Sequence, residues 1–101
     1  MTQRKSKTSV TPSSGNVFAD LGFAPDEAEH LKLRAQLMAA VRQVIERRQL
    51  TQAQAAKLFG VTQPRISNLM RGKIDLFSMD MLVSMLAQAG VHVGLTIEVA
   101  A

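Results

Sequence analysis

The sequence predicts an all-α domain of four to five helices that ends in a single β-strand. Between residues 31 and 89, apolar side chains recur at spacings of three and four, which is the helical period. Residues that cap helices stand before several of these apolar runs. Residues 91–99 instead alternate apolar and polar side chains, which is the period of a strand. A chain of 101 residues has room for one domain.

Composition excludes several function classes. The chain contains four Phe and no Trp, Tyr or Cys. Scarce aromatic side chains disfavour RNA-binding modules that stack bases, and the absence of cysteine excludes disulfides and thiolate chemistry. No apolar run approaches the roughly 18 residues that a membrane span needs, and the basic N-terminus lacks the apolar stretch of a signal peptide. We therefore expect a cytoplasmic protein that does not associate with membranes.

The net charge of +4 is unevenly distributed. Residues 18–29 carry four acids and no base, whereas residues 30–74 carry nine bases and one acid. A polyanion would be attracted to this basic segment, and a solvated basic surface is the alternative. The nine bases are Lys32, Arg34, Arg42, Arg47, Arg48, Lys57, Arg65, Arg71 and Lys73.

The N-terminal residues 1–16 are polar, rich in Ser and Thr, and without periodicity, which predicts a disordered basic arm. The arm either tracks a DNA groove or keeps the protein soluble. Residues 17–101 form the predicted domain. Its first seven residues, VFADLGF, are an apolar cluster too small to fold alone, so we expect the cluster to dock onto the core or onto a partner.

Capping residues mark the limits of the helices. A long amphipathic helix is predicted from Pro25 to about Gln49, because Pro suits a first turn and acids follow it at the positive end of the helix dipole. Thr51 and Gln54 form a capping box for a second helix, which ends at Gly60. Two further helices are capped by Thr62 and Ser78 and end near Gly72 and Gly90.

The segment 52–71 has the layout of a helix-turn-helix: two short helices joined by a tight turn at Gly60. A two-helix hairpin with no role in DNA binding is the alternative. Residues 63, 64, 67, 68 and 71 share the side of the second helix that faces away from its apolar residues. Small or apolar residues occupy the positions that face the core: Ala55, Ala56, Phe59, Val61, Ile66 and Leu69.

Around this motif, the segment LTQAQAAKLFGVTQPRISNLMRGKIDLFSMDMLVSMLAQAGV resembles the Cro and CI-like (XRE) helix-turn-helix family. The resemblance covers about residues 31–90 and implies a λ-repressor-like fold. The segments NVFADLGF and IDLFSMDML and the closing strand are similar to the HigA-type antitoxin branch, whose members bind operator DNA and a RelE-like toxin. In the wider family, the residue at the position of Gln52 holds a phosphate and buttresses the residue at the position of Gln63, which reads a base.

Groove geometry agrees with this resemblance, because a recognition helix places its N-terminal residues against base edges and Gln or Asn can pair with adenine. Many relatives have a hydrogen-bonding residue where this chain has Pro64. The DNA sequence that those relatives recognise therefore cannot be assumed for this protein. Pro64 either makes an apolar contact or only starts the helix. We predict base contacts from Gln63, Pro64, Ser67 and Asn68, and phosphate contacts from Gln52, Thr62, Arg65, Arg71 and Lys73.

The predicted strand over residues 91–99 has no second strand in this chain with which to pair. It pairs with the same strand of a second protomer, adds to the sheet of another protein, or lies over the helices as a frayed tail. The first alternative would make the protein a homodimer.

Catalysis is not expected. His30 and His92 are the only histidines, they lie far apart, and no nucleophile stands beside either. The chain has no glycine-rich phosphate loop and no paired acids, so we predict no enzyme activity, no cofactor and no metal site. The expected function is a repressor that binds a double-stranded DNA operator, with a RelE-like toxin as partner. A stand-alone regulator and a protein-interaction module that no longer reads DNA are the alternatives.

Overall fold

A computed structural model describes residues 16–99 and shows an all-α fold. The chain divides into two compact units, with the boundary between Leu33 and Arg34. The predicted arm over residues 1–16 lies outside the described residues except for its last residue, Asn16. In chain order the elements are α1 (Val17–Asp20), α2 (Pro25–Arg47), α3 (Gln52–Phe59), α4 (Gln63–Met70), a 3₁₀ helix (Ile74–Leu76) and α5 (Met79–Gln88).

The first unit is organised by the buried side chain of Asn16. Its Oδ1 accepts hydrogen bonds from the backbone N–H groups of Phe18 and Ala19, which caps α1. Its Nδ2 donates to the carbonyl oxygen of Ala28, 3.0 Å away, and ties this turn to the first part of α2. The rings of Phe18 and Phe23 meet edge to face with centroids 6.1 Å apart. The apolar cluster seen in the sequence is thus a capped helical turn.

The core of the second unit lies among α3, α4, α5 and the part of α2 that begins at Arg34. α3 packs against both α4 and α5. The inward positions predicted for the helix-turn-helix are confirmed, with Val61 half-buried and the others buried. Phe77 is also buried, although it stands outside any periodic run. The fully buried larger side chains are Val41, Phe59, Ile66, Leu69, Phe77, Leu82, Met85 and Leu86.

The predicted caps are confirmed. In the capping box, the Gln54 N–H donates to Thr51 Oγ1 at 3.1 Å and the Thr51 N–H donates to Gln54 Oε1 at 2.9 Å. The Thr62 and Ser78 hydroxyls accept the backbone bonds that start α4 and α5. Gly60 ends α3 with φ of 71°, a left-handed conformation that glycine adopts without steric cost.

α2 ends at Arg47, slightly before the predicted limit near Gln49. Gln49 has φ of 52° and is the non-glycine residue with a left-handed backbone among residues 16–99. The next N–H, of Leu50, donates to the carbonyl oxygen of Ile45 at 3.0 Å. This reversal directs the half-buried Leu50 onto the core, and that tertiary contact explains why a Gln occupies a conformation typical of Gly.

Residues 16–99 contain no β-strand, so the strand in the predicted fold is not a feature of the chain alone. Residues 91–99 follow α5 without regular hydrogen bonding, and Val91 is joined to the helix by its N–H bond to the Leu86 carbonyl oxygen. The physical reason is that a strand needs a neighbouring strand to receive its backbone bonds, and the described part of the chain offers none. Nor is any described helix long and apolar enough to cross a bilayer.

Candidate nucleic-acid interface

Two buried residues set the orientation of α4. Ile66 and Leu69 are both 0 % exposed and lie in the core against which α3 and α5 pack. Since helical residues three apart share a face, these two side chains define the inner face of α4, which is flanked by Met70 against the core and by the half-buried Arg65. The turn between α3 and α4 is closed by the Val61 N–H, which donates to the Ala56 carbonyl oxygen at 2.9 Å. Within residues 16–99, the opposite side of α4 is exposed or half-buried.

The four residues predicted to contact bases lie on this outward side. Gln63 and Pro64 are exposed in the first turn, and Ser67 and Asn68 are half-buried one turn later. Within residues 16–99, no hydrogen bond occupies the side chains of Gln63 or Asn68. Their amide groups can therefore donate and accept at once, as paired bonding to adenine requires.

Four of the five residues predicted to contact phosphate are exposed. Gln52 is exposed at the first position of α3, and Thr62 is exposed at the N-cap of α4. Arg71 and Lys73 are exposed in the turn that follows α4. Gly72 between them has φ of 74°, so this turn also uses a left-handed residue.

Comparison with known families identifies the domain. A family model described as "Helix-turn-helix domain" matches residues 17–98, which is most of the chain. The protein belongs to this helix-turn-helix family. The family is XRE-like, and the match does not distinguish a HigA-type branch. No curated protein matches the sequence.

Membership of the helix-turn-helix family indicates DNA binding and transcriptional regulation. Such DNA-binding domains are typically non-enzymatic. Within residues 16–99, no group of three or more His, Asp or Glu side chains is placed to hold a metal ion. The chemistry that the site offers is hydrogen bonding from amides and hydroxyls, flanked by positive charge.

Arg65, which the sequence predicts to contact phosphate, also makes contacts within this helix-turn-helix protein. Its Nη1 donates to the carbonyl oxygen of Leu76 at 3.1 Å, and its guanidinium carbon lies 5.7 Å from the ring centre of the buried Phe77. A cation above an aromatic face is held by the quadrupole of the ring. Arg65 thus ties α4 to the segment after it, and these bonds occupy part of the group predicted to contact phosphate.

Two further arginines have structural contacts that the sequence reading missed. Arg34 Nη1 donates to the carbonyl oxygens of Ile74 and Phe77, at 3.3 and 3.4 Å. Arg42 Nη2 donates to the carbonyl oxygens at the end of α4. The signal was present in the spacing, because Arg34 and Arg42 stand four residues before and after the buried Met38 and share its face of α2.

Proposed function

We propose that this protein is a sequence-specific transcriptional repressor that binds a double-stranded operator through α4. The observation that carries the proposal is the division of α4 into an inner face, anchored by Ile66 and Leu69, and an outer face whose amide side chains make no hydrogen bond within residues 16–99. A helix of this kind fits the major groove, where base pairs expose distinct donor and acceptor patterns.

In this proposal, Gln63 and Asn68 read bases and Pro64 and Ser67 contribute apolar and polar contacts. The phosphate contacts come from Gln52, Thr62, Arg65, Arg71 and Lys73. Arg71 and Lys73 support this role most directly, because both are exposed and belong to the basic part of the sequence. Arg65 would contribute only the donors that its bond to Leu76 leaves free.

The protein acts as a homodimer in this proposal, and residues 91–99 form the interface. Val93, Leu95, Ile97 and Val99 alternate along the segment and are 44, 77, 76 and 91 % exposed. Antiparallel pairing with the same segment of a second copy would bury these side chains and satisfy both backbones. Such a dimer presents two α4 helices to a pseudo-palindromic site, one DNA turn apart.

We further propose that the regulator is the autoregulating antitoxin of a toxin–antitoxin pair with a RelE-like toxin. The resemblance of NVFADLGF and IDLFSMDML to the HigA-type branch supports this role. Co-expression with the product of the adjacent gene tests it: a stable complex that binds the upstream region is expected. A chain that binds this region and no neighbouring product would be a stand-alone regulator.

The central test is a binding experiment with Asn68→Ala. Binding of labelled upstream DNA and of random DNA is measured by fluorescence anisotropy at a fixed salt concentration. The loss on the operator should correspond to about 1–3 kcal/mol, with little change on random DNA, because a base contact carries sequence information. The matched control is Gln36→Ala, which removes an exposed amide from α2.

Equal losses on both DNAs would remove Asn68 from base reading. If the wild-type protein binds neither DNA, the helix-turn-helix is a protein-interaction module and the repressor proposal fails.

A further inference from the structure

Arg42 lies at the C-terminal end of α4, although it belongs to α2. Its Nη2 donates to the carbonyl oxygens of Leu69 and Met70, each at 3.2 Å. The last carbonyls of a helix have no partner within the helix, and a positive charge near them is favourable. The last turn of α4 contains no basic residue of its own. Arg42 brings a guanidinium from α2 into direct contact with these carbonyls.

The bond to Met70 is the more informative of the two. Among the described residues, no backbone N–H donates to the Met70 carbonyl oxygen, whereas the Leu69 carbonyl oxygen also accepts the N–H of Gly72 at 2.9 Å. Loss of the Arg42 guanidinium would leave the Met70 carbonyl without its protein partner. The end of α4 therefore depends on a side chain that is distant in sequence.

The basic turn Arg71–Gly72–Lys73 begins where Arg42 is bound. A Cβ atom at Gly72 would lie 4.0 Å from Arg42 Nη2, so the guanidinium lies against the backbone of the turn. The Lys73 N–H donates to the Asn68 carbonyl oxygen at 3.1 Å, which joins the turn to the outer part of α4. The side chains of Arg71 and Lys73 remain exposed.

We propose that Arg42 is a positioning residue for DNA binding, which fixes the end of α4 and thereby holds Arg71 and Lys73 against the phosphate backbone without touching DNA itself. The inference rests on the proposed function, in which Arg71 and Lys73 contact phosphate. Arg42 is half-buried, and its Nη2 donates to two adjacent carbonyl oxygens at the end of α4. These bonds give it a structural link to the turn through which positioning can occur.

Arg34 provides a matched control on the same helix. It makes the same kind of guanidinium–carbonyl bonds, but to Ile74 and Phe77, beyond the basic turn. Arg34→Gln and Arg42→Gln each remove one half-buried charge and two hydrogen bonds. A loss of stability alone would affect both variants alike, whereas positioning of the turn is affected by Arg42→Gln.

The experiment measures operator and random-DNA affinity over a range of salt concentrations for the wild type, Arg42→Gln, Arg34→Gln, Arg71→Ala and the double variant Arg42→Gln/Arg71→Ala. Circular dichroism gives the folded fraction, by which each affinity is corrected. Arg42→Gln should weaken binding to both DNAs roughly tenfold and lower the salt slope by about one to two units, because contacts from the turn are lost. Arg34→Gln should keep the wild-type slope.

The double variant distinguishes positioning from direct contact. If Arg42 acts through the turn, its replacement after Arg71→Ala costs only the Lys73 contact, so the combined loss in affinity and salt slope is smaller than the sum of the two single losses. Losses that are fully additive in both affinity and salt slope would mean that Arg42 itself contacts phosphate, and the inference would be overturned. Equal DNA affinities and equal salt slopes for Arg42→Gln and Arg34→Gln would overturn the inference as well. Absence of DNA binding by the wild type would instead refute the proposed function.

A second measurement does not depend on DNA. The N–H groups of Gly72 and Lys73 are hydrogen-bonded to carbonyls of α4, so amide hydrogen exchange reports whether the turn is held in place. Arg42→Gln should speed exchange at both amides relative to Arg34→Gln. Arg42→Lys keeps the positive charge but loses the planar guanidinium with its paired N–H donors, so it should give an intermediate rate of amide exchange. Unchanged exchange in both Arg42 variants would refute the positioning role.

Discussion

The helix-turn-helix region and the C-terminal segment have equally clear apolar patterns and opposite burial. In α3 and α4, the predicted inner residues are buried, and Ile66 and Leu69 reach 0 % exposure. In residues 91–99, Leu95 and Ile97 are more than 75 % exposed. The first pattern is satisfied within the chain, because helices complete their own backbone bonds and need only a surface to pack against. A strand needs a neighbour for its backbone as well.

This difference shows what an apolar pattern indicates when its side chains stay exposed. Scattered apolar residues on a surface are ordinary, but an alternating row of them beside unpaired backbone groups invites association with another strand. The contrast supports the two separate roles in the proposed function: the helical core holds α4 for DNA binding, and the C-terminal segment joins two copies of the protein. Three predictions test the contrast, in order of their effect on stability.

The largest effect is expected from a core truncation in α4. Ile66→Ala should lower the free energy of unfolding by about 2–5 kcal/mol, because it removes buried methyl groups and leaves a cavity. Chemical denaturation followed by circular dichroism measures the change. The control is Val83→Ala on the exposed side of α5, where Val83 is 42 % exposed and a far smaller loss is expected. Comparable losses at the two positions would contradict the assigned burial.

An intermediate effect is expected at the turn before α4. Gly60→Ala should cost about 1–2 kcal/mol, because an L-residue is strained in the left-handed region. The added Cβ would also lie 3.3 Å from Nε2 of Gln88. Thermal unfolding measures the loss. Gly94→Ala is the matched control, because no atom lies within 4 Å of its Cβ position and the backbone there is not left-handed. If both variants are equally stable, the turn does not require glycine.

The smallest effect on stability is expected from truncation of the C-terminal segment. Since Val91 packs against the core, the deletion begins at His92. Removal of residues 92–101 should change the unfolding free energy of the monomer by less than about 0.5 kcal/mol. Analytical ultracentrifugation should show monomers in place of dimers, and operator affinity should fall about 100-fold or more because the two α4 helices are no longer linked. A truncated protein that still sediments as a dimer would place the interface among the helices.

Much of the helical fold could be predicted from local sequence, because caps and helical periodicity act over a few residues. Thr51, Thr62 and Ser78 cap the helices as expected, and Gly60 takes the left-handed conformation that its position requires. The helical turn α1 was missed because it spans only four residues and depends on the contact of Asn16 with Ala28. Such a contact has no periodic signal.

The candidate site was predictable in part for the same reason. Gln63, Pro64, Ser67 and Asn68 follow from helical geometry once Ile66 and Leu69 are assigned to the core. Their roles toward DNA stay predictions. The spacing places Arg34 and Arg42 on the same face of α2 as Met38, but a sequence does not show whether a guanidinium ends in solvent or binds a carbonyl oxygen. Arg71 is exposed, whereas Arg42 is half-buried and bonded to α4.

The sequence by itself determined the helical class, the helix limits to within a few residues, and the inner faces of α3 and α4. These properties follow from capping, period and side-chain size, all of which are local. Membership of the helix-turn-helix family rests on the family match over residues 17–98. Only the tertiary structure decided which charges are available to a partner, because Arg34 and Arg42 bind carbonyls far along the chain and Arg65 binds a carbonyl of the segment that follows α4. It also decided that Gln49 reverses the backbone and that Phe77 is buried, since both depend on packing between elements that no local pattern encodes.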